Sequence, residues 1–477
     1  MNLAWIRYNF FSNVRKDILS GLTVAFALIP EAIAFSIMAG VDPMVGLYAS
    51  FTIAVSISFF GGRPGMISAA TGAMASLMGP LIAKYGIEYL FAATIMTGIL
   101  QWMMGVLKFG RFITFVPHPV MVGFVNALAI IVFMAQLPNF EGATWIAYAL
   151  LLGTLIIVYG LPYLTKAVPS PLVAIIIMSV ITFLSGAKIL TVGDMGEIPQ
   201  SLPFFHLPQV PFNLHTLTII FPFSLALSVV GITESLLTAT VVDDMTDTSS
   251  SKNKEIRGQG MSNVLTGLFG GMAGCAMIGQ TVINVRSGGR TRLSTFVAGS
   301  FLLFLILGLG EIVKQIPMAA LAGVMFMVSF GTFDWRSLRT LHKIPRADAV
   351  VMVVTVLVVV WTSNLALGVV SGVILSAISY GWRSATLKVG IEIEESGAKR
   401  YTIAGPLFFG TTAQFQQFFQ GVDDPDQIIV DMHHSHVWDQ SGCEALHKLI
   451  AKYDVLHKQI EILGLNDESA QLIGRVR

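Results

Sequence analysis

Residues 66–82 read Met66-Ile-Ser-Ala-Ala-Thr-Gly-Ala-Met-Ala-Ser-Leu-Met-Gly-Pro-Leu-Ile82, and residues 279–287 read Gly279-Gln-Thr-Val-Ile-Asn-Val-Arg-Ser287. Both are shorter than the roughly 20 residues a helix needs to cross a hydrocarbon core of about 30 Å. The first opens with the small residues Ser68 to Ala73, and the second is too brief to span alone. Short, glycine-interrupted segments of this kind predict half-helices. Around them lie about fourteen apolar runs, at 18–41, 43–60, 66–82, 88–107, 118–137, 143–163, 169–187, 214–240, 260–275, 279–287, 293–312, 316–333, 347–363 and 365–382. The short segments are third and tenth, so each is third within a block of seven. Because seven is odd, two successive blocks insert in opposite senses. That is the signature of an inverted repeat, with a binding site where the broken helices meet near the midplane. The halves share little direct sequence similarity, so the spacing carries the inference.

Composition agrees. Of 477 residues 54% are hydrophobic and 12% charged, against about 25% charged in a soluble domain, and mean hydropathy is +0.73. The chain is predicted to be a mainly α, polytopic membrane protein, which excludes a soluble enzyme of ordinary composition, a disordered chain and a disulfide scaffold. Its two cysteines, Cys275 and Cys443, are far apart, imply no bridge, and are assigned no chemistry. Residues 1–385 hold 21 Lys and Arg against 15 Asp and Glu, and residues 386–477 hold 8 against 13. The division predicts a transmembrane domain over 1–385, with repeats of about 1–190 and 191–385, and a soluble tail over 386–477. No basic stripe points to nucleic acid.

Residues 1–20 offer no cleavable signal peptide; Arg7, Arg15 and Lys16 precede the first apolar run, which reads as the first transmembrane helix. If residue 1 is cytoplasmic and all fourteen segments cross, eighteen Lys and Arg of the membrane part fall inside and only Lys84, Lys188 and Lys314 outside. The positive-inside rule therefore predicts a multi-pass protein of the cell membrane with both termini cytoplasmic.

The first segment, Asp17-Ile-Leu-Ser-Gly-Leu-Thr-Val-Ala-Phe-Ala-Leu-Ile-Pro30-Glu31-Ala-Ile-Ala-Phe35, with Ala39-Gly40 and Gly46-Leu47-Tyr48-Ala49-Ser50 after it, closely resembles the sulfate permease family, solute carrier family 26. The resemblance runs through the third, eighth and tenth segments and into the tail. It implies a 7+7 inverted-repeat fold of core and gate domains, commonly a homodimer, with a cytoplasmic STAS domain at the C-terminus. It also implies secondary anion transport by an elevator-like motion. Substrates across the family include sulfate, bicarbonate, chloride, oxalate and dicarboxylates, so the fold does not choose among them. Members often carry Gln after Ile-Pro; here the residue is Glu31.

An anion at membrane depth needs partners, and a helix N-terminus supplies free N–H groups and about half a positive charge. The candidate N-termini are Thr71-Gly72-Ala73 and Gly279-Gln280-Thr281. Small residues there let backbone approach a ligand, Gln280 can donate an amide hydrogen bond, and Thr71 or Thr281 a hydroxyl. The resemblance puts the family's anion site between these two ends. Small residues also serve tight helix packing, which is the alternative. Neither N-terminus carries Lys or Arg, and Arg286, Arg290 and Arg292 read as inside anchors. A doubly charged anion is then undercompensated, and a co-transported cation helps.

Glu234 in the eighth segment is an intramembrane carboxylate, a functional-site candidate by default, and Thr238, four residues on, shares its face. By resemblance, this position is an acidic site to which Na⁺ or H⁺ coupling is assigned in prokaryotic members. Carboxylate and hydroxyl can ligate Na⁺; a buried Glu can instead take up a proton, which the longer side chain favours. Glu31, beside Pro30, is either a second proton carrier lining the same cavity or a structural hydrogen-bonding group at a proline kink. Asp243 to Lys254 reads as a soluble loop lacking the glycine and terminal Glu of a Ca²⁺ loop.

In the tail, 400–403, 428–432 and 459–465 read as strands and 440–452 as an amphipathic helix, a small α/β domain. Ile428 to Asp431 and Asp439 to Gly442 resemble the STAS pattern, in a form that can lack the last helix of longer relatives. Ser441 matches the serine phosphorylated in anti-sigma-factor antagonists, though a Ser near a helix start also serves as a cap. His433, His434, His436 and Asp439 have no second ligand cluster and read as a solvated loop rather than a metal site. No enzyme constellation and no cofactor is indicated. The expectation is therefore a membrane-embedded carrier of a small anion coupled to H⁺ or Na⁺. The alternatives are a nucleobase permease of the same fold, an anion-binding sensor signalling through the tail, and an uncoupled channel.

Overall fold

Between residues 14 and 384 the apolar runs become helices wherever backbone can close its own hydrogen bonds, the requirement for crossing lipid. The computed structural model describes residues 7, 9–111, 117–165, 170–195, 202–362 and 364–475. Within this range the first block comprises α1 Val14–Ala39, α2 Pro43–Phe60, α3 Gly72–Tyr85, α4 Ile87–Val106, α5 His118–Met134, α6 Trp145–Leu164 and α7 Ser170–Ser185. The second comprises α8 Leu214–Thr246, α9 Lys252–Leu268, α10 Ile278–Arg286, α11 Arg292–Lys314, α12 Met318–Thr332, α13 Arg346–Thr362 and α14 Leu365–Ser384. The third and tenth segments are the short helices α3 and α10. Ser68–Ala70 and Gly274–Ala276 just before them are extended strands, β1 and β2, so residues 68–70, read as the start of a helix, are not helical.

The packing repeats with the sequence spacing. If each element is replaced by its counterpart seven helices on, partners reproduce themselves: α4 on α9 becomes α11 on α2, and α1 on α11 becomes α8 on α4. Likewise α1 on α10 becomes α8 on α3, α6 on α12 becomes α13 on α5, and the β1–β2 pair maps onto itself. Two bundles result, a core of α1–α4 with α8–α11 and a gate of α5–α7 with α12–α14. Small residues set the core's close contacts: a Cβ on Gly98 of α4 would lie 2.5 Å from the Gly260 carbonyl oxygen of α9.

The ninth run, read as 260–275, is instead α9 at Lys252–Leu268. Its polar residues Glu255, Gln259, Ser262 and Asn263 are fully buried. Hydropathy detects lipid contact, whereas α9 is enclosed by α2, α4 and α8 and its side chains find protein partners. The Gln259 amide donates to Ser68 Oγ at 2.5 Å, and the Asn263 amide donates to Gln101 at 2.8 Å and to the Gly274 carbonyl at 3.0 Å. Most of the stretch read as a loop from Asp243 to Lys254 is helical too, and Asp243 pairs with Arg63 at 3.1 Å and Lys252 at 2.8 Å.

The chain divides into two compact units, residues 1–373 and 374–477, the boundary falling within α14. The second unit holds β3 Lys388–Ile393, β4 Lys399–Leu407, α15 Thr412–Gln417, β5 Gln427–Val437, α16 Gln440–Val455, β6 Gln459–Leu463 and α17 Asp467–Arg475. Its sheet runs β3-β4-β5-β6, antiparallel at the first pair and parallel at the others. The edge strand β3 escaped the sequence reading because it is largely exposed. The last helix, left open from the sequence, is present as α17, with Leu472 and Ile473 packed on the core. Asp439, accepting from the Gly442 amide at 2.9 Å, caps α16; Ser441 is not the cap. His433 bonds Asp431 at 2.7 Å and His436 bonds Asn466 at 2.9 Å, so these histidines have separate partners.

Asp424 anchors this unit. Burial opposes its charge. Lys399 and the Tyr401 hydroxyl, both at 2.6 Å, the Tyr453 hydroxyl and the Gly421 amide at 3.1 Å outweigh that burial and hold its carboxyl down from 3.8 to about 2. A depressed carboxylate pKa contributes stability that is complete above the unfolded value, so this contribution is lost as pH falls from about 4 through 2. Asp424→Ala leaves Lys399 without its buried counter-charge and should destabilise the unit by about 3 kcal/mol. Hydrogen exchange of full-length protein should show faster exchange in 427–437 and 440–455; unchanged protection there would mean that the network is not stabilising.

Candidate functional site

The strands β1 and β2 pair antiparallel with Ser68 opposite Ala276, Ala69 opposite Cys275 and Ala70 opposite Gly274. The ribbon is held from outside as well: the Ala276 amide donates to Ser235 Oγ at 3.1 Å and the Ala70 amide to Ser50 Oγ at 3.3 Å. Each strand leads directly into a half-helix, α3 capped by Thr71, whose oxygen accepts from the Met74 amide at 3.4 Å, and α10 starting after Met277. The first N–H groups of a helix have no intrahelical partner, and here both sets open at one cavity of ≈ 100 Å³.

Thr71, Gly72, Gly279, Gln280, Glu31 and Glu234 all line this cavity, brought together from α1, α3, α8 and α10. Glu31 and Glu234 are each only 6% exposed. Glu31 Oε1 accepts from the Gln280 amide at 2.6 Å, while Glu31 Oε2 and Gln280 Oε1 have no hydrogen-bond partner. Glu234 Oε2 accepts from the Cys275 thiol at 2.9 Å. One N–H of the Gln280 amide, expected to face the anion, is thus given to Glu31.

Three sequence candidates do not line the cavity. Ala73 is packed at 0% exposure. Thr281 reaches the ribbon, its hydroxyl oxygen accepting from the Ile67 amide at 3.0 Å. Thr238 donates to the carbonyl oxygen of Glu234, one turn back, at 2.8 Å. Sequence reasoning missed the opposite wall, which α5 and α12 supply with Phe124, Leu128, Val132 and Val328. The i, i+4, i+8 stripe on α5 was visible, but spacing alone does not tell a cavity-facing stripe from a lipid-facing one. It also missed Cys275, which is buried on β2 beside Glu234.

A membrane-embedded inverted repeat whose paired half-helices open at a buried, carboxylate-bearing cavity is the architecture of a solute carrier. The sulfate permease family model matches residues 14–150 and 143–355, and the STAS domain model matches 392–476; the chain belongs to the sulfate permease family. It is 56% identical to the candidate sulfate transporter YbaR of Bacillus subtilis (strain 168), over 99% of both chains. It is 28% identical to the bicarbonate transporter BicA of Picosynechococcus, over 98% of this chain and 91% of that one. The structure of the murine Solute Carrier 26 family member A9 anion transporter covers 99% of this chain and 89% of its own, with a TM-score of 0.85 at 19% identity, and shares the fold.

The two cavity glycines should behave differently. A Cβ on Gly72 would lie 2.9 Å from the Phe35 ring and 3.2 Å from Val132, whereas one on Gly279 meets nothing within 4 Å. Gly72→Ala should cost about 1–3 kcal/mol by overpacking, read as a lowered unfolding temperature. Gly279→Ala should leave stability within about 0.5 kcal/mol and weaken anion affinity by narrowing access to the α10 amides. The reverse ranking of stabilities would mean that the Gly72 contact is not tight in solution.

Proposed function

We infer that this protein carries a small anion of the sulfate or bicarbonate kind across the membrane by secondary active, proton-coupled transport. One observation carries the reading: two half-helix N-termini and two buried carboxylates face a single small cavity. The two dipole ends supply together about one positive charge. Two ionised carboxylates already exceed that, before any anion enters. No Lys, Arg or His stands among the described lining residues. An anion therefore binds favourably only when the carboxylates are neutralised, which ties its entry to a cation.

Thr238 bears on which cation. Its hydroxyl proton is engaged by the Glu234 carbonyl, and the group bonded to the Glu234 carboxylate is the Cys275 thiol. Sodium prefers several oxygen ligands, and a thiol is a poor substitute for one. A proton needs only the carboxylate. The cavity's charged and amide groups belong to core helices, while the gate helices supply a mainly apolar wall with the hydroxyls of Ser329 and Thr332, which supports alternating access by movement of the core along the gate.

Uptake of radiolabelled sulfate, bicarbonate and fumarate into proteoliposomes, with inward H⁺ and Na⁺ gradients imposed separately, tests this. A proton gradient of one pH unit supports up to about tenfold accumulation per coupled proton. Saturable accumulation driven by H⁺ alone is expected; accumulation driven only by Na⁺ would reassign the cation, and no flux under any condition would favour a sensor. Glu234→Gln, neutral at every pH, should reduce proton-driven accumulation to the no-gradient level while anion exchange persists. Full accumulation by that variant would remove Glu234 from the mechanism.

A further inference from the structure

Cys275 is fully buried on β2 and touches both functional halves of the site. Its Sγ lies 2.9 Å from Oε2 of Glu234 and 3.1 Å from Oγ1 of Thr71. Thr71 lines the cavity and caps α3 through the Met74 amide. Carboxylate, thiol, hydroxyl and amide thus form one line from Glu234 to the N-terminus of the half-helix, passing behind the cavity wall.

Proton counting sets what this line can do. Thiol and hydroxyl each donate one proton, and an ionised carboxylate only accepts. With Glu234 ionised, the Cys275 S–H points to Glu234, the sulfur accepts from the Thr71 O–H, and the Thr71 oxygen keeps the Met74 amide. The hydroxyl proton is then turned away from the cavity. With the proton on Oε2 of Glu234, the oxygen facing the thiol, that O–H donates to the sulfur and the Cys275 S–H turns to Thr71 Oγ1. The Thr71 oxygen now accepts from both thiol and amide, and its own proton has the cavity as its free direction. One proton enters at Glu234, each S–H and O–H bond persists, and only rotations about S–H and O–H are needed.

We propose that Cys275 is a positioning residue that links the protonation of Glu234 to anion binding, by reversing this hydrogen-bond line so that Thr71 offers its O–H to the anion only when Glu234 carries a proton. The proposal rests on the proton-coupled reading of the cavity and supplies its coupling step. Among the described groups facing Glu234, the titratable ones are Cys275 from β2 and, across the cavity, Glu31 from α1. Charged groups on the other packed helices are engaged elsewhere, exposed or near helix ends: Glu255 of α9 accepts from the Gly62 and Arg63 amides, Lys252 and Lys254 lie in the first turn of α9 with Lys252 paired to Asp243, Arg257 is exposed beside Gly105, Glu88 of α4 bonds His206, and Lys84 of α3 and Arg286 of α10 lie in last turns.

The test uses full-length protein in detergent, with apparent affinity for sulfate, bicarbonate and fumarate read from anion-dependent thermal stabilisation at a series of pH values. Wild-type affinity should fall as pH rises, by up to about tenfold per pH unit for one linked proton. Cys275→Ser retains a donor and acceptor at the same place and should keep that slope. Cys275→Ala breaks the line and should lower the slope below that of wild type, because Thr71 no longer senses Glu234 and only the direct repulsion of the anion by the ionised carboxylates remains. In a Glu234→Gln background Cys275→Ala should change the slope no further, a coupling that a merely structural cysteine would not show. A wild-type slope retained by Cys275→Ala, or additive effects in the double variant, overturns the relay while leaving proton coupling intact. Wild-type affinity that does not vary with pH, or no stabilisation by any of the three anions, overturns the proton-coupled reading and the relay with it.

Discussion

Backbone amides cannot be left unpaired in hydrocarbon, yet a site that binds an anion without cationic side chains consists largely of unpaired amides. The β1–β2 ribbon resolves this conflict. It lets two helices begin at membrane depth, because the chain entering each is paired strand to strand and to Ser50 and Ser235 rather than exposed to lipid. Irregular backbone at that depth is tolerated where protein or a cavity surrounds it. The enclosing shell of α2, α4, α8 and α9 is therefore a condition for the site rather than a frame around it. It explains why α9 carries buried Gln259 and Asn263: Asn263 donates to the Gly274 carbonyl and accepts from the Gly274 amide, completing the pairing that the ribbon's end requires.

Electrostatics then decides what such a site can hold. Half-helix ends attract an anion but do not discriminate strongly among small ones, since their charge is diffuse and the opposite wall is apolar. On the proposed reading, specificity falls to cavity size and to the protonation of two carboxylates. Glu31 and Glu234 are not equivalent: Glu31 shares a direct bond with Gln280 on α10, whereas Glu234 is linked to α3 through Cys275 and Thr71. Each carboxylate is thus wired to a different half-helix, and the two positive ends can in principle be tuned separately.

Most of this architecture was legible in the sequence, for a physical reason. The count of apolar runs and the place of the two short ones follow from bilayer thickness, a constraint that sequence length reports directly. The half-helix starts at Thr71 and Gly279 and the carboxylate Glu234 stand out because small or charged residues at membrane depth are costly unless used. Hydrogen-bond direction was not legible. Thr238 and Thr281 sit where a site hydroxyl would be expected, yet one bonds its own helix and the other the ribbon. Cys275 looked inert because its meaning comes from β2 passing between Glu234 and Thr71, a tertiary crossing that no local pattern encodes. The polar start of α9 was set aside because hydropathy cannot separate a solvated residue from one buried in protein.

The division of the cavity between two bundles has a mechanical consequence. Glu31, Thr71, Glu234, Gly279 and Gln280 all belong to the core, whereas the gate presents Phe124, Leu128, Val132 and Val328. Of the gate's two hydroxyls at the wall, Ser329 and Thr332, the first donates to the Ala129 carbonyl of α5 at 2.6 Å and is satisfied within its own bundle. An apolar wall exchanges one set of van der Waals contacts for another as a partner slides across it, so displacement breaks no strong directional bond. In the proposed movement the core groups keep their mutual geometry because they shift as one body. In the proposed carrier cycle an anion held by core groups alone is carried with them, and the barrier to movement lies in the charge that must leave water. In the coupling proposed above, neutralising that charge with a proton lowers the barrier for the loaded core, and an ionised, empty core stays where it is solvated. On the proposed coupling, the proton that permits binding is also the proton that permits passage.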